Sequence, residues 1–246
     1  MPRHAQLNNI DHRDLRVVTA RGAAWGDDVM SALTFPAEFR SVQAYYPIVF
    51  QKSADGSFQP VALFGFHAGQ NLFLNSDVLR SDAPDGQGWD AAYVPLSVQR
   101  QPFLIGRSEA GEPVVHIDLD HPRVGHAQGE PLFRAHGGTT DVMEHAASVL
   151  QALHDGLGAT PAFVAALLRE ELLESFVLDV ESGDGQPFRL AGFYTIHEER
   201  LGQLAPETLA TLQRDGHLEA IYMAMASLSH FRDLIDRARR VHAGGA

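Results

Sequence analysis

Between Tyr46 and Phe103 the chain runs as short apolar stretches broken by turn residues, and this pattern constrains the fold more than any other feature. Tyr46-Pro47-Ile48-Val49-Phe50 is followed by Asp55-Gly56 and then by Pro60-Val61-Ala62-Leu63-Phe64-Gly65-Phe66. Two apolar runs around an Asp-Gly pair predict a hairpin, because Gly takes the positive φ that a tight turn needs. Further on, Phe103–Gly106 and Pro113–Leu119 are joined by Glu109-Ala110-Gly111-Glu112. Such a link permits antiparallel pairing, whereas a parallel crossover needs about a dozen residues or more. A doubly wound nucleotide fold is therefore disfavoured.

The remaining segments complete the reading. Leu15–Val18 is expected to be a short strand, as is Asn71–Asn75, with residues 80–90 a loop by composition. From Thr140 the period changes. Val142, Ala146, Val149, Leu150, Leu153 and Leu157 share one helical stripe. Gly158 reads as its stop, and Thr160-Pro161 as the start of a second helix over 161–173. Phe176–Val180 and Phe188–Ile196 predict another hairpin, followed by a short helix from Pro206 to about Gly216 and a last helix from His217 to about Arg240. The expected class is α+β: an antiparallel β-meander or sheet with C-terminal helices packed on it. Residues 1–22 are expected to be a loosely ordered leader and 23–240 a single domain, since no linker or repeat divides the chain.

Composition removes several function classes. A net charge of −12 opposes broad contact with nucleic-acid backbones, whose affinity comes from clustered Lys and Arg. The absence of cysteine excludes disulfides, thiolate metal sites and a Cys nucleophile. Residues 1–21 lack the apolar core of a signal peptide, and no run approaches the roughly 20 apolar residues of a membrane span. A cytoplasmic protein with no nucleic-acid partner is expected, and no cofactor.

His116-Ile117-Asp118 places two metal-ligand types on one strand face. With His136, His145, His154 or His197 as third ligand this is the donor set of an Fe(II) facial triad. Thirteen histidines make chance matches easy, and the bland alternative is a solvated strand end. His197-Glu198-Glu199-Arg200-Leu201 begins like a zincin helix, but Leu201 stands where the second His belongs. Asn71, Tyr93 and Arg100 are polar groups set among apolar and proline residues, hence candidates for a pocket rim. Arg100 suits a bidentate carboxylate clamp; otherwise it pairs with a nearby acid while Asn71 caps a turn. Trp89 and Tyr45-Tyr46 offer either a stacking surface or core anchors. The apolar face of the last helix offers a protein partner or a second copy a place to pack.

The meander resembles the SapC family, named after a component associated with bacterial surface-layer protein transport. The resemblance lies in Tyr46-Pro47-Ile48-Val49-Phe50, Asn71-Leu72-Phe73, Trp89, Tyr93-Val94-Pro95, Arg100 with Pro102-Phe103, and Ile117-Asp118. It continues through Gly129, Leu132-Phe133 and Gly137 to Gly216-His217-Leu218 and Ser227-Leu228. It implies a bacterial accessory or binding protein without an established catalytic residue. The setting it implies is surface-protein transport or nutrient uptake, beside halogenase-like, cupin-like and TonB-dependent receptor proteins. It also favours Asp118 over His116, and with Asp118 the ligand-binding candidates Asn71, Trp89, Tyr93 and Arg100. The runner-up function is the Fe(II)-dependent oxygenase built on His116 and Asp118.

Overall fold

The computed structural model describes residues 3–74, 88–108, 110–181 and 187–244. The strands are β1 (His4–Gln6), β2 (Arg16–Val17), β3 (Ser31–Leu33), β4 (Ile48–Lys52), β5 (Phe58–Leu63), β6 (Phe103–Arg107), β7 (Pro113–Asp118), β8 (Val124–Gly125), β9 (Glu130–Pro131), β10 (Leu173–Glu181) and β11 (Pro187–Ile196). The α-helices are α1 (Phe39–Val42), α2 (Leu96–Gln99), α3 (Asp141–Arg169), α4 (Glu198–Gly202), α5 (Pro206–Arg214), α6 (His217–Ser227) and α7 (Phe231–Gly244). The class is α+β, and every strand pair among the described residues is antiparallel.

The chain forms two compact units, and neither is contiguous in sequence. The first comprises residues 1–28, 74–90 and 96–155; the second comprises 29–73, 91–95 and 156–246. In the first unit one sheet has the order β1-β7-β6 and a second the order β8-β2-β9. Within residues 1–22, expected as a loosely ordered leader, His4–Gln6 pairs with His116–Asp118 and Arg16–Val17 pairs on both sides. The core of this unit gathers Leu15, Val17, Phe103, Ile117 and Leu132 with Met143, Ala146 and Leu150 of α3. Of the helical stripe read from the sequence, Ala146, Val149, Leu150 and Leu153 are buried and Val142 is partly so, whereas Leu157 is exposed.

The second unit holds a five-stranded sheet in the order β10-β11-β4-β5-β3. The Asp55-Gly56 hairpin is present as β4–β5, with Lys52 opposite Phe58. Ile48, Val49 and Phe50 are all fully buried, so this strand is covered on both faces over that run. Ser227 at the end of α6 ties the helix to the strand: its Oγ accepts the Ile48 N–H at 2.8 Å and donates to the Ala224 carbonyl at 2.6 Å. Phe231 of α7 stacks on Phe176 of β10 at 5.1 Å, and the Arg237 guanidinium lies 4.2 Å from the Phe73 ring.

Three expectations change. The meander does not lie in one sheet, because β4 and β5 belong to the five-stranded sheet and β6 pairs with β7 in another. Of the strand expected at 71–75, the described residues 71–74 form none, and only Leu74 bridges, to Trp89. Most of the loop expected at 80–90 and of the Ser182–Gly185 turn lie outside the described residues. Finally, Gly158 and Pro161 do not divide a helix, since α3 is continuous through both. Pro161 withholds one N–H from the ladder, and tertiary packing of Phe163, Val164 and Leu167 outweighs that loss.

Candidate functional site

Arg100 follows α2, and its backbone N–H completes that helical turn on the Leu96 carbonyl at 2.9 Å. The Phe103 N–H then returns to the Arg100 carbonyl at 2.7 Å, across the cis Gln101–Pro102 bond. The side chain folds over this turn, and Nη1 donates to the Phe103 carbonyl at 2.9 Å. Among the described residues no carboxylate pairs with Arg100, and burial holds its guanidinium below the usual arginine range. The structural ion pair offered as the alternative for Arg100 is therefore not formed by any described residue.

Asp118 closes β7 beside that turn, its N–H bonded to the Pro102 carbonyl at 3.2 Å. Its carboxylate accepts the Asp120 N–H at 3.1 Å, and its carbonyl accepts the His121 N–H at 3.2 Å. His121 Nδ1 in turn accepts the Arg123 N–H at 3.2 Å, which leaves Nε2 to carry the proton of the neutral ring. Burial lowers the His121 pKa and the Arg123 charge lowers it further; Asp118 and Asp27 oppose this, and Arg100 adds to the lowering. Arg100, Asp118, His121, Arg123 and Asp27 thus share one electrostatic neighbourhood.

Beneath it lies a cluster that no sequence motif announced. Asp27 is fully buried and meets Arg123 at 2.6 Å and Arg21 at 3.4 Å. The Gly22 N–H also reaches Asp27 at 2.8 Å. Arg123, only 1% exposed, spends Nη1 on the carbonyls of Val18 at 2.9 Å and Ala20 at 2.6 Å. Its Nε is buried without a hydrogen-bond partner. Asp27 and Arg123 are 96 residues apart, so no local spacing could have linked them.

Trp89 belongs to the same unit as Arg100 and Asp118 and is buried, as a core anchor would be. Asn71 and Tyr93 belong to the other unit. Asn71 Oδ1 accepts the Phe73 N–H at 3.0 Å, the turn-capping role weighed for it. The Tyr93 hydroxyl donates to Glu38 Oε1 at 2.8 Å, and Thr34 donates to Glu38 Oε2 at 2.7 Å. The Tyr93 carbonyl accepts the hydroxyl of Tyr46, a fully buried residue packed on Phe64 and Phe73. Burial, then the Glu38 charge, raises the Tyr93 pKa. Sequence reasoning did not single out Glu38, because Pro36-Ala37-Glu38 looks like an ordinary helix entry.

The iron reading loses its third ligand. Among the described residues no three His, Asp or Glu side chains are grouped to hold a metal ion. The His116 ring lies against Gly106, where a Cβ would run into it, and its Nε2 is buried without a partner. His145 faces Gln99 at 3.3 Å, and His197 sits 3.6 Å from Glu174.

Neither curated proteins nor solved structures give a match. The sequence model of one family, described as SapC, covers residues 7–234, which include β2–β11, all of α1–α6 and every candidate residue above. That span takes in nearly the whole chain and the segments whose residues first suggested the likeness, and it shows that the chain belongs to the SapC family.

Proposed function

We propose that this SapC-family protein is a non-catalytic accessory protein that binds a small carboxylate-bearing ligand through Arg100. The observation behind this reading is a partly buried guanidinium without an ion-pair partner among the described residues. Taking a cation out of water costs free energy that a well-placed anion repays, and Arg offers two parallel donors to a carboxylate. One donor is held by the Phe103 carbonyl, which orients the fork and leaves the others for a ligand. His121, neutral by its lowered pKa, and Asp118 flank the position and bias which acids fit. The family resemblance suggests the setting: uptake or processing of a nutrient or surface substrate in a bacterial cytoplasm, beside halogenase-like partner proteins.

Calorimetric titration with a panel of small mono- and dicarboxylic acids tests the reading. Arg100→Ala is expected to weaken binding by about tenfold to a hundredfold, the loss of a charge-assisted hydrogen bond of about 1.5–3 kcal/mol. Arg100→Lys should fall between, since a point charge keeps attraction but loses the fork. Unchanged affinity in a folded Arg100→Ala protein sinks the proposal. So does turnover of any substrate that disappears in Asp118→Ala.

A further inference from the structure

A concavity lies within the other unit, between the β3–β5 side of the sheet and one face of α3. Leu157, Pro161, Val164 and Leu168 form a helical stripe along one wall, and Leu33 and Phe58 stand on the other. Leu33, Leu157 and Leu168 are 36%, 38% and 49% exposed, so the groove holds apolar surface in contact with water. Removing such surface from water is favourable.

The hydroxyls around it have spent their donors. Thr34 donates to Glu38 at 2.7 Å, Ser57 to Asp55 at 2.7 Å, and Thr160 back to the Gly156 carbonyl at 2.9 Å. None of the twelve lining residues is ionisable. Two polar features remain. Gln59 is exposed at the rim, and Pro161 has no N–H to give the Leu157 carbonyl its usual helical partner.

The cavity encloses about 420 Å³, within the roughly 300–1,000 Å³ of small-molecule sites. Twelve residues fall well short of the roughly 20–30 per side that a stable protein interface uses. We propose that this groove binds a small uncharged molecule with an apolar body and one hydrogen-bonding head, such as a long-chain alcohol. The head would be met by Gln59 or the Leu157 carbonyl. Nothing in this site depends on Arg100.

The probe is N-phenyl-1-naphthylamine, an uncharged apolar fluorophore, titrated into the full-length chain and then displaced with 1-dodecanol. Saturable one-site binding is expected. Ala165→Trp, on an exposed position of the helical wall, should weaken it at least tenfold, and Leu168→Glu should do likewise. Arg100→Ala should bind the probe as the parent does. Equal binding in both groove variants, with circular dichroism unchanged, overturns the proposal. Loss of probe binding in Arg100→Ala, or displacement by dodecanoate at lower concentration than dodecanol, also overturns it. Light scattering that shows a dimer abolished by Ala165→Trp, without probe binding, assigns the groove to a second copy instead.

Discussion

Arg123 carries a permanent charge with almost no access to water, and Asp27 is its counter-ion. Removing one member of a buried pair leaves the other uncompensated, which typically costs about 3–5 kcal/mol. Asp27→Ala should therefore lower unfolding stability by that amount in a urea titration, and a loss below about 1 kcal/mol would show that the pair is not buried as described. His121 adds a pH dependence. Its folded pKa is lowered, so its contribution is whole above about 6.5, the unfolded value, and drains as pH falls through the folded pKa. Replacing it in His121→Gln should flatten the acid limb of a stability–pH curve. Tyr93 acts at the opposite end: its folded pKa is raised, so its contribution is whole below about 10 and drains at higher pH. Tyr93→Phe should cost about 1–3 kcal/mol at neutral pH by stripping a donor from buried Glu38, and should remove part of the alkaline loss. The sequence nominated Arg100 and Tyr93 as polar groups set among apolar and proline residues, and Asp118 through the His116-Ile117-Asp118 tripeptide and the SapC resemblance. It could not show that Tyr93 is committed to Glu38, or that His121 and Arg123 stand beside Arg100, because those contacts depend on chain segments brought together by folding.

Hairpins were legible where the turn chemistry is local, as at Asp55-Gly56, and helix faces where the period is sustained, as along α3. Local rules failed where packing overrode them. Pro161 reads as a helix start, yet α3 passes through it because Phe163 and Leu167 are buried on the same turn. Some glycines have tertiary reasons that composition alone cannot reveal, and two of them face rings. A Cβ at Gly106 would strike the His116 ring across the β6–β7 pair, and one at Gly156 would strike the ring of Phe35. Either glycine replaced by alanine should destabilise the protein by about 1–3 kcal/mol, the usual range for overpacking. The melting temperature checks this, with Gly158→Ala as the comparison, since no atom lies within 4 Å of a Cβ built there. If Gly158→Ala costs as much as Gly156→Ala, the close approach of Phe35 is not the cause.

Each compact unit is assembled from three separate stretches of chain. A fragment ending at residue 135 would keep Leu15, Val17, Phe103, Ile117 and Leu132 but lose Met143, Ala146 and Leu150, the helical side of the same core. Such a fragment is expected to give a collapsed amide spectrum in NMR, and dispersed peaks from it would show that α3 is dispensable to that core. The sequence by itself determined the α+β class, the main hairpins, the buried stripe of α3 and the SapC likeness. These rest on periodicity, turn residues and motifs, all carried by neighbouring positions. Only the tertiary structure decided that the strands divide among three sheets, that Asp27 and Arg123 meet, and that the candidate residues fall into separate units. Those outcomes are set by which distant segments bury each other's apolar surface and satisfy each other's polar groups, and no local pattern encodes that choice.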